Sequence, residues 1–297
     1  IMAGRLPKPG RISLSPMLSY RGKLCGDLTV ACLDENEFMV FGSGAAQEMH
    51  RRWFESHLDK FNLSYSNRSD EYHGLSIAGP NSRKVLEKIV RDDVSNEKFK
   101  FRDSRRMFVG GVPAIINRIS FTGELGYEIY VAPHYQLKLY EELMEAGKEF
   151  NIKPFGGRAL MSMRLEKNWG AWTLDYRPDF TAKETGLDAF INWDKEFIGK
   201  ESAQKENSSN KLIPLIVETN EIDVTNNEAV LNGDQSIGYV TSGGFAHFVN
   251  KSVAFTFVDQ KNIKSENKIQ VEINGDLFNC SIIKEPLYDP SGQKMRS

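Results

Sequence analysis

Arg118-Ile-Ser-Phe-Thr-Gly-Glu-Leu-Gly-Tyr-Glu-Ile-Tyr130 sets two short β-rich runs around a Thr-Gly-Glu-Leu-Gly corner. The two-residue period of a strand puts Glu128 and Tyr130 on one face and Tyr127 and Ile129 on the other. A carboxylate beside an aromatic ring can hold a flat heterocycle with amidine-like N–H donors. The carboxylate accepts two hydrogen bonds and the ring stacks. A glutamate on a solvated strand face gives the same pattern, and alternation alone does not choose between them.

Outward from this corner the chain continues in strand pairs and helices. Arg106 to Tyr130 holds two or three strands, broken at Gly110-Gly111 and at Thr122-Gly123. Upstream, Asp27 to Leu33 and Phe38 to Phe41 flank Asp34-Glu-Asn-Glu37 and read as a hairpin. A helix follows Gly42-Ser-Gly44, with Ser43 as its cap and Ala45, Met49, Trp53 and Leu58 on one face. Glu71 to Ala78 reads as a strand. A second helix opens at Gly79-Pro80-Asn81, with Pro80 in its first turn and Val85, Leu86, Ile89 and Val90 inward. Downstream, His134 to Phe150 is an amphipathic helix with Leu137, Tyr140, Leu143 and Met144 on one face, and Arg158 to Lys167 is another. Strand pairs interleaved with helices in this order predict an α+β fold with mostly antiparallel sheets. From about residue 200 the character changes. Lys205 to Lys211 is polar and reads as a linker, and five or six short strands then predict a small β-barrel or sandwich. The domains are read as 1–200 and 211–297, with a loosely ordered tail after Pro286.

Composition narrows the function. The 297 residues suggest about two domains. Thirty-eight Lys plus Arg against 40 Asp plus Glu leave a net charge of −2, so no global field favours nucleic acid. No run of about 18 apolar residues predicts a membrane span, and the first ten residues lack the apolar stretch of a signal peptide. Cys25, Cys32 and Cys280 form no C-x-x-C pair and read as reduced thiols, which points to a cytoplasmic setting. The histidines at 50, 57, 73, 134 and 247 form no H-x-x-x-H, so no metal site is expected. There is no G-x-x-x-x-G-K-[ST] loop and no G-x-S-x-G elbow, and Ser242-Gly243-Gly244 reads as a turn. Gly42-Ser-Gly-Ala-Ala-Gln47 imitates a dinucleotide fingerprint but ends in Gln47, where close helix–strand packing needs Gly or Ala. Arg164-Leu-Glu166, among Met161 and Met163, reads as a structural ion pair or as a buttress behind a site.

Six segments in register then carry a resemblance: Gly26-Asp-Leu-Thr-Val30, Ile77-Ala-Gly-Pro80, Arg118 to Tyr130, Arg164-Leu-Glu-Lys167, Phe197-Ile-Gly-Lys200 and Val240-Thr-Ser-Gly243. Over nearly its whole length the chain resembles the folate-binding aminomethyltransferase family, that of the glycine cleavage T-protein. Within it, the chain looks most like the C-terminal folate half of dimethylglycine and sarcosine dehydrogenases. The resemblance implies a cloverleaf of subdomains around a central hole for tetrahydrofolate, ending in a small C-terminal β-barrel. It also implies that the family's opening strand and helix precede the point where this chain starts. Any FAD would then sit on a missing N-terminal domain.

By the same resemblance, Glu128 holds the pterin amide and amino edge, with Ile129 and Tyr130 beside it. Asp27, with Leu28 and Thr29, lines the reactive end, and Asp27 is the catalytic candidate. Phe121, Arg164 and Ala189 complete the cofactor-binding set. Many T-proteins carry Asp-Asp-Leu with the first Asp catalytic. Here Gly26-Asp27-Leu28 moves the carboxylate one step along a strand, a step that reverses the face. Phe121 replaces a tyrosine of the family pattern, and Ala189 replaces a tyrosine of the related dehydrogenases. The implied activity is transfer of a one-carbon unit from an amine-derived donor, such as dimethylglycine or sarcosine, to tetrahydrofolate. Two alternatives stand beside it, a non-catalytic folate-binding module and a tetrahydrofolate-dependent demethylase. A flavin domain or a lipoyl carrier protein is the expected partner.

Overall fold

The computed structural model describes residues 1–219, 221–263 and 268–297. Its first unit is an antiparallel meander of β1 (Arg11–Leu18), β2 (Leu24–Asp34) and β3 (Glu37–Phe41). Pairing sets Leu14 opposite Thr29 and Pro16 opposite Asp27. The second unit is a four-stranded antiparallel sheet in the order β4 (His73–Ala78), β7 (Gly126–Val131), β6 (Val112–Asn117), β5 (Ser104–Val109). Gly110 and Gly111 both have positive φ and close the two-residue hairpin between β5 and β6, a turn that side chains with a Cβ resist. Helices α2 (Ser82–Ile89) and α3 (Gln136–Gly147) cover one face of this sheet, and Leu86, Ile116, Tyr127, Ile129 and Leu139 are fully buried between them.

Six strands then close a barrel: β8 (Asn210–Val217), β9 (Ala229–Asn232), β10 (Gln235–Ala246), β11 (Lys251–Asp259), β12 (Ile269–Ile273) and β13 (Asp276–Ile282). Closure leaves no edge for another chain to pair with. The result is the expected α+β fold with antiparallel sheets and a C-terminal barrel. Val217, Val230, Val240 and Val271 fill the barrel interior with no exposed surface. After the second sheet comes α4 (Gly157–Glu166), which packs on β10 and β11 of the barrel. Its Leu165 packs on Val253 and Phe255 of the barrel wall, and its Glu166 accepts a 2.6 Å bond from the backbone N–H of Phe248.

Several local expectations are corrected. The first long helix, α1, begins at Gln47 and ends at Leu58. Ser43 precedes a short 3-10 turn and makes no capping bond with its side chain. The inward positions of this segment are Ala46 and His50, whereas Ala45 and Met49 are exposed, so the buried face lies one residue later than expected. On α3 the buried side chains are Leu139, Leu143 and Ala146; Leu137 and Tyr140 are exposed. Pro80 lies before Asn81, the cap of α2, rather than in the first turn. Arg118 follows β6 rather than belonging to a strand. Ser242-Gly243-Gly244 is not a turn but the middle of β10, and β9 is a strand that its polar neighbours conceal.

The tail is the largest departure, because the segment after Pro286 is docked. The buried ammonium of Lys167 donates to the backbone carbonyls of Tyr288 (3.3 Å) and Asp289. Met295, in the last short helical turn, α5 (Gln293–Arg296), is buried.

Candidate functional site

A cavity of about 1110 Å³ lies between the two sheets, α4 and the docked tail. Ile12, Leu14, Asp27 and Thr29 line it from the first sheet and Ser76 and Glu128 from the second. Phe121, Trp169, Tyr176, Phe190, Met295 and Arg296 complete much of the rest. Among the described residues the barrel contributes none of the lining.

Strand alternation decides which members of Gly26-Asp27-Leu28-Thr29 face this space. Asp27 and Thr29 do; Leu28 is buried on the reverse side. A Cβ at Gly26 would sit 2.9 Å from the imidazole Nε2 of His50, so position 26 points into packed protein. The one-step displacement of the carboxylate therefore leaves it inside the cavity. Burial pushes the Asp27 carboxyl up to about 7, against a weaker opposing hydrogen bond to the backbone.

This has a consequence for stability. The folded pKa of Asp27 is raised above its unfolded value. Its burial therefore costs nothing below the ordinary carboxylate range and opposes folding increasingly as the pH rises to about 7. Asp27→Asn is expected to raise the melting temperature at pH 8 and leave it unchanged at pH 3. The gain at pH 8 amounts to as much as about 4 kcal/mol. A melting curve that shifts equally at both pH values would contradict this assignment.

Glu128 sits on β7 between Ser76 of β4 and Asn117 of β6. Its Oε2 accepts a 2.6 Å bond from the hydroxyl of Tyr130, and desolvation raises its carboxyl pKa against that bond. Oε1 has no hydrogen-bond partner among the described residues. Tyr130 stands beside Glu128 as alternation requires but does not line the cavity. Its ring lies against Phe41, centroids 4.4 Å apart, and over Gly74 of the neighbouring strand, where a Cβ would come within 3.0 Å. Tyr130 thus holds Glu128 from outside the cavity rather than stacking on a ligand within it. Its hydroxyl keeps its proton, because burial and the Glu128 charge raise its pKa.

The other expected site residues divide. Phe121 lines the cavity. Ile129 is buried in the core of the second sheet, as its strand face demands. Ala189 is exposed, and it is the next residue, Phe190, that reaches the wall. Arg164 is fully buried behind the wall, and its ion-pair partner is Asp175 rather than Glu166. Asp175 Oδ2 accepts from Arg164 Nη1 (2.5 Å) and the backbone N–H of Ala171 (3.0 Å). Asp175 Oδ1 accepts from the hydroxyls of Thr241 (2.5 Å) and Ser242 (2.6 Å) on β10. Four donors satisfy one buried carboxylate, which ties the Arg164 helix, the 169–176 loop and the barrel together.

That loop supplies the residues the sequence did not disclose. Trp169 and Tyr176 line the cavity, and the indole Nε1–H of Trp169 is buried without a partner among the described residues. No spacing separates these two aromatics from the chain's many others; only the fold gathers them. The arrangement offers a held carboxylate, an unpartnered N–H donor, aromatic walls and a second carboxyl poised to exchange a proton near neutrality. Such a set can bind a flat polar heterocycle and move a proton at its edge. Among the described residues no cluster of His, Cys, Asp and Glu could hold a metal ion, and no helix is long and apolar enough to cross a membrane.

Comparison with known proteins agrees with this geometry. Over 295 residues the chain is 34% identical to the mitochondrial dimethylglycine dehydrogenase of Homo sapiens, covering 97% of this chain and 34% of that protein. The chain thus spans about a third of the length of the dimethylglycine dehydrogenases it matches. It is 28% identical over 292 residues to an aminomethyltransferase of Thermoanaerobacter pseudethanolicus, covering 97% of this chain and 78% of that one. In three dimensions it matches aminomethyltransferase T of the glycine cleavage system from Bartonella henselae. The TM-score is 0.84 at 22% identity, over 96% of this chain and 78% of that one, so the two share a fold. A family model described as the GCVT N-terminal domain matches residues 1–195, and the glycine cleavage T-protein C-terminal barrel domain matches residues 210–289. The chain belongs to the glycine cleavage T-protein family.

Proposed function

We propose that this chain is a tetrahydrofolate-binding one-carbon transfer module that accepts its one-carbon unit from a methylated amine such as dimethylglycine or sarcosine. The observation that carries the reading is the pair of carboxyl groups in one cavity, Glu128 with a free oxygen and Asp27 titrating near neutrality. The residues fit the ligand. A pterin presents adjacent N–H donors on its amide and amino edge, which Glu128 Oε1 lacks, and acceptor atoms, which the Trp169 N–H lacks. The cavity has room for the pterin and its aromatic extension.

Tetrahydrofolate supplies the nucleophilic N5 that takes up the one-carbon unit. The chain's own residues position and exchange protons. Glu128, braced by Tyr130, fixes the orientation of the ring. Phe121 and Phe190 exclude water from its faces. Asp27 would take up the proton released from N10 as the methylene bridge closes and pass it to the departing amine, a role for which a carboxyl near pH 7 is matched. That Asp27 reaches the cavity favours a catalytic module over a folate carrier without chemistry. In a protein as long as the dehydrogenase relatives, a flavin domain elsewhere would generate the oxidised amine; a lipoyl carrier protein is the other candidate partner.

The experiment is incubation of the chain with reduced tetrahydrofolate and an amine-derived one-carbon donor, followed by chromatography of the folates. 5,10-Methylenetetrahydrofolate formed above the uncatalysed rate, and lost in Asp27→Asn, is the expected result. 5-Methyltetrahydrofolate instead would replace this reading with a demethylase.

A further inference from the structure

Tyr176 is held at the cavity wall more firmly than a wall residue requires. It follows Asp175 directly, so the four-donor knot on that carboxylate fixes its backbone. Backbone bonds from Thr173 N–H to Tyr176 C=O (2.9 Å) and from Tyr176 N–H to Ala171 C=O (3.1 Å) close the loop around it. Its ring occupies a notch at Gly170, where a Cβ would lie 2.3 Å from the ring carbon Cζ. The backbone N–H of Gly170 donates to the phenol oxygen at 3.2 Å. One lone pair is thereby used, and the hydroxyl proton has no acceptor among the described residues.

The ring is close enough to Asp27 that the carboxylate's charge acts on it, yet no hydrogen bond joins the two. Burial and the charges of Asp27 and Asp175 all hold the phenol well above its ordinary range. The hydroxyl therefore remains a donor throughout the neutral range, while Asp27 beside it changes charge. Tyr176 and Asp27 form an asymmetric pair, one group that only donates and one that exchanges.

We propose that the Tyr176 hydroxyl donates a hydrogen bond to an oxygen carried on the one-carbon unit, at the end of the cavity where Asp27 lies. Tyr176 would then distinguish a folate carrying an acceptor atom at that end from one without it. This rests on the folate reading above, and the test separates the two.

The probes are tetrahydrofolate and its stable 5-formyl derivative, which differs by a carbonyl acceptor at the reactive nitrogen. Both are titrated calorimetrically into the wild-type chain and into Tyr176→Phe, which keeps the ring but removes the hydroxyl, both the donor to the ligand and the acceptor of the Gly170 N–H. The expected result is a loss of 5-formyltetrahydrofolate affinity of about three- to tenfold, the value of one neutral hydrogen bond. Tetrahydrofolate affinity should stay within about twofold of wild type, while the melting temperature should fall by a few degrees, because the buried Gly170 N–H loses its acceptor. Equal losses for both ligands, or none for either, overturn the assignment of Tyr176 while leaving the folate site standing. Failure of both ligands to bind the folded wild-type chain overturns the folate reading itself. Ser242→Ala, which loosens the Asp175 knot without touching the cavity, should lower the 5-formyl preference in the same direction; no change there would argue against the knot as its support.

Discussion

Glu128→Ala is expected to weaken tetrahydrofolate binding by about tenfold to a few hundredfold, the loss of one to two charge-assisted hydrogen bonds. The free Oε1 is the acceptor that would be lost, and Tyr130, which holds the other oxygen, does not line the cavity to replace it. Calorimetric titration of reduced tetrahydrofolate reads the effect. Glu128→Gln should fall between wild type and Ala, because its amide oxygen still accepts one bond but carries no charge. The wild-type affinity should also fall as the pH drops. Desolvation raises the Glu128 pKa, so the accepting carboxylate is lost at a higher pH than for a free glutamate. In Glu128→Ala that pH dependence should flatten. An unchanged affinity in the Ala variant would remove Glu128 from the site.

Asp175→Ala should be the most damaging substitution for stability. Arg164 and Asp175 have no solvent exposure, and removing one member strands the other charge in the interior. The typical cost is about 3–5 kcal/mol, a fall in melting temperature on the order of 5–10 °C. Arg164 is already sparsely served. Among the described residues, only its Nη1 makes hydrogen bonds, to Asp175 and to the carbonyl of Trp169, and its guanidinium lies over the Phe255 ring. The double variant Asp175→Leu with Arg164→Met should recover much of the loss, since it buries no unpaired charge. It should not recover the 5-formyl preference expected of Tyr176, because the loop would still lack its ties to Thr241 and Ser242. A double variant as unstable as Asp175→Ala alone would mean that the ion pair is not the source of the cost. Thermal unfolding is the suitable readout, with each transition followed separately because the barrel and the sheets have cores of their own.

The strand pattern was legible because a period of two needs few residues to declare itself. Tyr127 and Ile129 inward and Glu128 and Tyr130 on the opposite face follow from four consecutive letters. Helices with mixed faces were harder. In α1 the buried position is a histidine and Met49 is exposed, so a hydrophobic count chose a face one residue early. Asp175 could not be found at all. It stands in Thr-Leu-Asp-Tyr-Arg, where an aspartate reads as surface, and its partners come from a helix before it and a strand more than sixty residues after it. Two segments that carried the family resemblance, Arg164-Leu-Glu-Lys167 and Val240-Thr-Ser-Gly243, meet on that one carboxylate. The tail misled for a related reason: Pro, Ser, Gly and Lys describe a loose segment when read locally, and what fixes it is a buried lysine about 120 residues upstream.

The docked tail also imposes an order of assembly. Ile12 and Asp27 leave the ribosome early, whereas Met295 and Arg296, which line the same cavity, are made only after every barrel strand. A nascent chain therefore has both sheets long before it has a finished container, and the part of a ligand's stabilising effect that passes through the tail reaches only molecules whose synthesis has run through the barrel. Ligand supply would then protect chains that include the tail from proteases more than chains that stop short of it.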